Sequence, residues 1–204
     1  MPEVQRLQRD PPWLVRLGGW LFTRRTSVPT PIILALLIIP APPVSAAYLS
    51  VGLTLVAAGE LLRLWGVRHI GVISRTRSER LGPLVGSGPF ALVRNPLYLG
   101  NVALWVGFTV SAGLLWLVPV VVVFLAVVYH AIVRWEETLL EGRRGDEYRE
   151  YARRVPRWVP RFSSPAAASG PLFSWGDTLF SERGTLIGIL AGYLLLYLKS
   201  RVNG

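Results

Sequence analysis

Arg94-Asn95-Pro96-Leu97-Tyr98-Leu99-Gly100 opens an apolar run that reaches Arg134 with one small-residue break, Ser111-Ala112-Gly113. That stretch decides the fold. A proline suits the first position of a helix, where its missing N–H costs nothing, and the asparagine before it is suited to N-capping. A third membrane segment therefore runs from Pro96 to about Val110, and a fourth from about Leu114 to Arg134, with Pro119 expected to kink it. The two form a short antiparallel helical hairpin. An arginine beside a helix N-terminus also makes an anion-binding corner, and Glu136-Glu137 closes the hairpin where it returns.

Composition agrees with a polytopic membrane protein: of 204 residues, 51% are hydrophobic, 17% are charged and eight are Trp, and mean hydropathy is +0.42. The net charge of +10 sits in arginines crowded between the apolar runs, the pattern of cytoplasmic loops. Nucleic acid is therefore not the expected partner; the lipid bilayer is. The absence of cysteine excludes disulfides, thiolate metal sites and cysteine nucleophiles. Two histidines, His69 and His130, are too few to make a metal site alone, so no metal is expected.

Outward from the hairpin, three regions follow. Residues 1–30 carry Arg6, Arg9, Arg16, Arg24 and Arg25, with Trp13, Leu14, Leu17, Trp20 and Leu21 at helical spacing, and read as an interfacial helix on the cytoplasmic face. Arg24-Arg25-Thr26-Ser27 imitates a twin-arginine signal, but a second apolar segment follows at once. Residues 31–161 form the core. A first crossing from about Pro31 to Val44 is broken near its far end by Pro40, Pro42 and Pro43, and a second runs from about Ala47 to Gly66. The basic segment from Arg68 to Arg94 is too long for a tight turn and should bear the site on the cytoplasmic side. After the hairpin, Gly145-Asp146 opens a cytoplasmic amphipathic helix ending before Pro156, with Tyr148, Tyr151 and Val155 on one face. Residues 162–204 give a Ser/Ala/Pro linker, an interfacial stretch from Leu172 to Phe180 and a last apolar run from Leu186 to Leu198. The expected fold is all-α, with about five transmembrane helices in a cell (inner) membrane.

Arg94 offers a planar cationic fork for a carboxylate or phosphate, and the free N–H groups after Asn95 point partial positive charge the same way. Glu136 and Glu137 offer acceptors; being consecutive on a helix they diverge by about 100°, so one should face the pocket while the other pairs with an arginine or water. Tyr98, Tyr148, Tyr151 and Trp135 supply aromatic walls. A ligand with a carboxylate, an ammonium and an aromatic base would satisfy all of these groups.

The order Arg-Asn-Pro-Leu-Tyr-Leu-Gly, apolar hairpin, Glu-Glu-x-x-Leu, Gly-Asp-Glu-Tyr-x-x-Tyr and Val-Pro-Arg, within about Gly59 to Arg161, resembles the isoprenylcysteine carboxyl methyltransferase and phospholipid N-methyltransferase superfamily. The resemblance implies an integral membrane enzyme that uses S-adenosyl-L-methionine and takes a lipophilic acceptor from the bilayer. It implies cofactor contacts from Arg94, Asn95, Pro96, Tyr98, Gly100, Glu136 and Glu137, with Tyr148 and Tyr151 as additions, and catalytic roles for Arg94 and Glu137. Many members carry His where this chain has Asn95, so no imidazole acts there. Glu60, inside the second apolar segment, pairs with Arg63 at i+3 or lines a substrate cavity with His69 and His130. Two other readings share the scaffold: a membrane reductase of the sterol reductase type using NADPH, and a non-catalytic membrane partner.

Overall fold

The computed structural model describes residues 11–40, 45–71, 84–162 and 172–203. Parts of the leader, the proline turn, the basic segment and the Ser/Ala/Pro linker lie outside these residues. Among the described residues, α-helices follow in order: α1 (Pro12–Thr23), α2 (Thr30–Ile38), α3 (Ala46–Ile70), α4 (Pro89–Leu92), α5 (Pro96–Ser111), α6 (Val118–Arg144), α7 (Asp146–Arg154) and α8 (Trp175–Asn203). Among the described residues there is no strand. The fold is all-α. Among the described residues three helical stretches, Ala46–Ile70, Leu115–Arg144 and Trp175–Val202, are long and apolar enough to cross a membrane. Of the other two expected crossings, α2 has 9 residues and α5 has 16, about 14 Å and 24 Å of helix against a hydrocarbon core of about 30 Å.

Apolar side chains gain little by leaving lipid for protein, so helices inside a bilayer associate where small residues let backbones meet. α3 and α5 do this twice. A Cβ on Gly52 or Gly107 would strike the other's carbonyl neighbourhood, and Gly59 and Gly100 oppose each other in the same way: the added carbon would lie 2.7 Å from the Gly100 carbonyl oxygen, or 2.8 Å from that of Gly59. Both pairs are seven residues apart along each helix, two turns, which is the repeat an antiparallel crossing needs to bring one face back into contact.

Along α6, Val121, Leu125, Val128 and Ile132 are buried while Val120, Val123 and Val127 are exposed, a 3.6-residue stripe with its outer face left for lipid. Pro119 lies in the first turn of this helix. It starts α6 after a 3-10 turn at Leu115–Leu117 and does not kink it, because a first-turn proline displaces no intrahelical hydrogen bond.

The leader is more than a surface float. α1 packs against α6, with Gly18 against the Ala131 backbone and Gly19 against the Trp135 indole, and Phe22, Ile32 and Leu36 join the central core. Trp13 and Trp20 remain exposed on the other side, consistent with an interfacial face.

At the other end of the chain, the interfacial stretch and the last apolar run expected from sequence are one continuous helix, α8. Its Lys199 Nζ donates to the carbonyls of Leu36, at 2.6 Å, and Ile39, at 2.5 Å. These belong to the end of α2, where carbonyls lack intrahelical partners and the dipole is negative. Capping α2 supplies a local reason for a lysine at this end of α8. Lys199→Met should therefore lower thermal stability by the equivalent of about 1.5–3 kcal/mol, the range for hydrogen bonds involving a charged group. An unchanged melting temperature in detergent would remove the capping role.

Candidate active site

Arg94 stands just before α5, and three elements converge on it. Its Nη1 donates to Glu137 Oε1 on α6 at 2.9 Å and to the Tyr148 hydroxyl on α7 at 3.2 Å. Its backbone N–H donates to the Pro156 carbonyl, and Arg161 N–H donates to the Leu92 carbonyl, so the chain after α7 straps the segment before α5. Tyr151 tightens the same strap by donating to the Phe90 carbonyl at 2.8 Å. The Val-Pro-Arg turn and the amphipathic face of α7 therefore hold Arg94 in place. Tyr148 and Val155 are buried on that face, as their spacing predicts.

Glu137 is the hub. Arg157 grips it as a fork, Nε to Oε1 at 2.9 Å and Nη2 to Oε2 at 2.6 Å, and Arg134 Nη1 lies 4.0 Å from Oε2. With Arg94 on the same oxygen as Arg157 Nε, this carboxylate's capacity goes to guanidinium groups. Such a group orients cations. Arg157 was not among the residues singled out from sequence; the signal was the Val-Pro-Arg motif itself, which falls on the turn back from α7.

Glu136 faces elsewhere. Its Oε2 accepts from the Tyr98 hydroxyl at 3.1 Å, and the Tyr98 and Tyr129 rings pack with centroids 4.8 Å apart. Arg25, from the turn between α1 and α2, exerts its charge on both Glu136 and Tyr98, and its guanidinium lies 4.1 Å over the Phe22 ring. The two glutamates diverge as the helix angle requires, Glu137 onto arginines and Glu136 onto Tyr98. From sequence Arg25 belongs only to the basic interfacial leader, since nothing local shows that the leader folds back onto α6.

Asn95 does not cap α5 with its side chain. Its Nδ2 donates instead to the Arg157 carbonyl at 3.1 Å, a partner 62 residues away that fixes the direction of the amide. Pro96 takes the first turn, as expected. Gly100 lies in the α3 crossing and meets Gly59 and the Arg63 stem; its closeness is to protein. Outside the membrane helices, burial pushes the Tyr148 and Tyr151 hydroxyls well above the usual phenol range, reinforced by Glu137 for Tyr148 and by Tyr148 itself for Tyr151. Both stay protonated at neutral pH, so Tyr148 can accept from Arg94 without adding charge.

Glu60, His69 and His130 are not brought together. Glu60 is buried against Arg63, Oε2 to Nε 3.5 Å. His69 Nδ1 lies 2.9 Å from Ser87 Oγ, with its ring over Gly88, whose positive φ of 57° turns the chain into α4. His130 is exposed on α6. Among the described residues, no group of three or more His, Cys, Asp or Glu could hold a metal ion.

Comparison with known proteins places this arrangement. The phospholipid methyltransferase family pattern matches residues 47–146, which takes in α3, the hairpin and both glutamates. The chain is 35% identical over 120 residues to the nickel-cobalt-cadmium resistance protein NccN of Alcaligenes xylosoxydans xylosoxydans, covering 59% of this chain and 53% of that one. It is 32% identical over 120 residues to the cobalt-zinc-cadmium resistance protein CzcN of Cupriavidus metallidurans, covering 59% and 52%. It is also 31% identical over 117 residues to protein-S-isoprenylcysteine O-methyltransferase B of Arabidopsis thaliana, covering 53% and 57%. The chain spans about half the length of these relatives. No solved structure matches it. The fold and site define an all-helical membrane protein with a charged site where α5 and α6 meet. The chain belongs to the isoprenylcysteine carboxyl methyltransferase and phospholipid methyltransferase superfamily of membrane methyltransferases.

Proposed function

We propose that this protein is an integral membrane methyltransferase that uses S-adenosyl-L-methionine to methylate a lipophilic acceptor, with its site facing the cytoplasm. The observation that carries this reading is the state of Arg94. Its Nη1 is held by Glu137 and Tyr148, while its buried Nε has no hydrogen-bond partner. An orphaned buried donor on a permanently charged group is costly, and a ligand anion would relieve it. Beside it, the first turn of α5 has no side-chain cap. Together these fit the carboxylate of an amino-acid-like cofactor.

When bound, S-adenosyl-L-methionine supplies an electrophilic methyl group on a sulfonium. Arg94 and the first turn of α5 would hold its carboxylate, with Pro96 setting that turn. Glu136 and Tyr98 would offer acceptor and donor to its polar groups. Glu137, Asn95, Tyr148, Tyr151 and Arg157 act through Arg94 and its neighbouring strap. A displacement of this kind gains most from positioning and from exclusion of water. If the acceptor is a carboxylate, no base is required. If it is an amine or hydroxyl, Glu136 Oε2 is the proton acceptor best placed beside the cofactor residues, because Glu137 is committed to arginines.

The test uses protein purified in detergent. S-adenosylhomocysteine should raise its melting temperature, and incubation with methyl-labelled S-adenosyl-L-methionine and membrane extract should yield a labelled lipid identifiable by mass spectrometry. Response to NADPH with none to S-adenosylhomocysteine would replace this reading with the reductase. Silence to both would leave a non-catalytic scaffold.

A further inference from the structure

Glu182 is fully buried on α8, beyond the family-matched residues 47–146, and within a helix composed to cross a membrane. A carboxylate in such a place costs several kcal/mol unless it is paired, and an apolar side chain would pack there more cheaply. Its Oε2 receives Arg63 Nη2 of α3 at 2.6 Å. The other tine of the same guanidinium, Nη1, donates to Asn101 Oδ1 of α5 at 2.6 Å. The Asn101 side chain also exerts its polarity on the Tyr129 hydroxyl of α6. The Tyr129 ring rests on Tyr98, and Tyr98 donates to Glu136. Arg63 joins α8 to α5 by two direct hydrogen bonds, and the Tyr129–Tyr98 ring contact joins α6 to the Tyr98–Glu136 pair. Arg63 itself is boxed in, with Glu60 3.5 Å from its Nε and its stem crossing Gly100 so closely that a Cβ there would lie 2.6 Å from Arg63 Cγ.

We infer that Glu182 is a positioning residue for the Tyr98–Glu136 side of the site, acting through Arg63, Asn101 and Tyr129; the inference rests on the methyltransferase reading above. The guanidinium is planar, so fixing one tine fixes the direction of the other. With Glu182 holding Nη2, Arg63 Nη1 is aimed at Asn101, whose polar side chain acts on the Tyr129 hydroxyl beside the ring that backs Tyr98. α8 thus reaches the cofactor site without touching it.

A contact that merely anchors α8 must be separated from one that positions Tyr98. Lys199 provides the comparison, since it ties the opposite end of α8 to α2 and has no link to Arg63. Glu182→Gln and Glu182→Asp should each lower kcat on the order of tenfold, the scale of a sub-ångström misplacement. Lys199→Met should leave kcat unchanged at a temperature where all variants remain folded. In protein carrying ring-labelled tyrosine, Glu182→Gln should shift the Tyr98 and Tyr129 resonances, assigned with Tyr98→Phe and Tyr129→Phe, while Lys199→Met should not. Unmoved tyrosine signals in Glu182→Gln overturn the inference whatever the activity, as does an equal fall of kcat in Glu182→Gln and Lys199→Met. Shifted tyrosines in a protein that transfers no methyl group uphold the coupling and defeat the methyltransferase reading instead.

Discussion

Arg94→Ala should abolish stabilisation by S-adenosylhomocysteine and lower methyl transfer at least about thirtyfold. Removing one partner from a buried, hydrogen-bonded charge pair costs about 2–5 kcal/mol, and each 1.4 kcal/mol is a factor of ten in affinity or rate. The loss should fall on the ligand more than on the fold. Glu137 keeps the two-point grip of Arg157, at 2.9 and 2.6 Å, so its charge is not stranded and α6 stays tied to the strap after α7. Arg94→Lys keeps the charge but loses the fork, Nη1 to Glu137 and Tyr148 with Nε turned to the ligand, and should recover only part of the activity. Titration with S-adenosylhomocysteine, alongside initial rates, checks both variants. Unchanged affinity in Arg94→Ala would move the cofactor carboxylate to another cation, and Arg25 stands nearest to Glu136 and Tyr98 in electrostatic terms.

What the sequence exposes and what it conceals divide along one physical line. Signals carried by neighbouring residues were legible: Pro96 at a helix start, the hairpin break at Ser111-Ala112-Gly113, and the 3.6-residue face of Tyr148, Tyr151 and Val155. Features completed by a distant partner were not. Asn95 looks like a cap until the Arg157 carbonyl comes within 3.1 Å. Arg25 looks like one more basic residue of an interfacial leader until α1 packs on α6. Glu182 sits in a stretch that reads as the polar flank of an apolar run, and its meaning comes from Arg63, 119 residues earlier. Glu60 and Arg63 were legible as an i,i+3 pair, but the pair alone could not show that the arginine's other nitrogens face α5 and α8. His69 and His130 failed as companions of Glu60 for a related reason. Residue type suggested chemistry, but position turns one toward Ser87 and leaves the other exposed on α6.

Gly100 makes the sharpest separation between the two kinds of signal, because its place in the motif implies a cofactor contact while its surroundings are protein. Gly100→Leu should destabilise the protein by several kcal/mol, on the order of 10 °C in melting temperature, through overpacking that the helices cannot relieve. The nearest backbone atom to an added Cβ is the Gly59 carbonyl oxygen, 2.8 Å away, and moving it means prising α3 from α5 along a crossing that Gly52 and Gly107 hold closed two turns further on. Gly188→Leu is the control, since nothing lies within 4 Å of a Cβ there, and it should leave the melting temperature unchanged. The smaller Gly100→Ala is more telling. Its methyl group meets Arg63 Cγ as well as backbone, so it should displace the guanidinium that aims at Asn101 and lower kcat even where most of the protein stays folded. If Gly100→Ala instead weakened S-adenosylhomocysteine binding at full stability, the glycine would be making room for the cofactor. The close approach of α3 and α5 would then be incidental to its place in the motif.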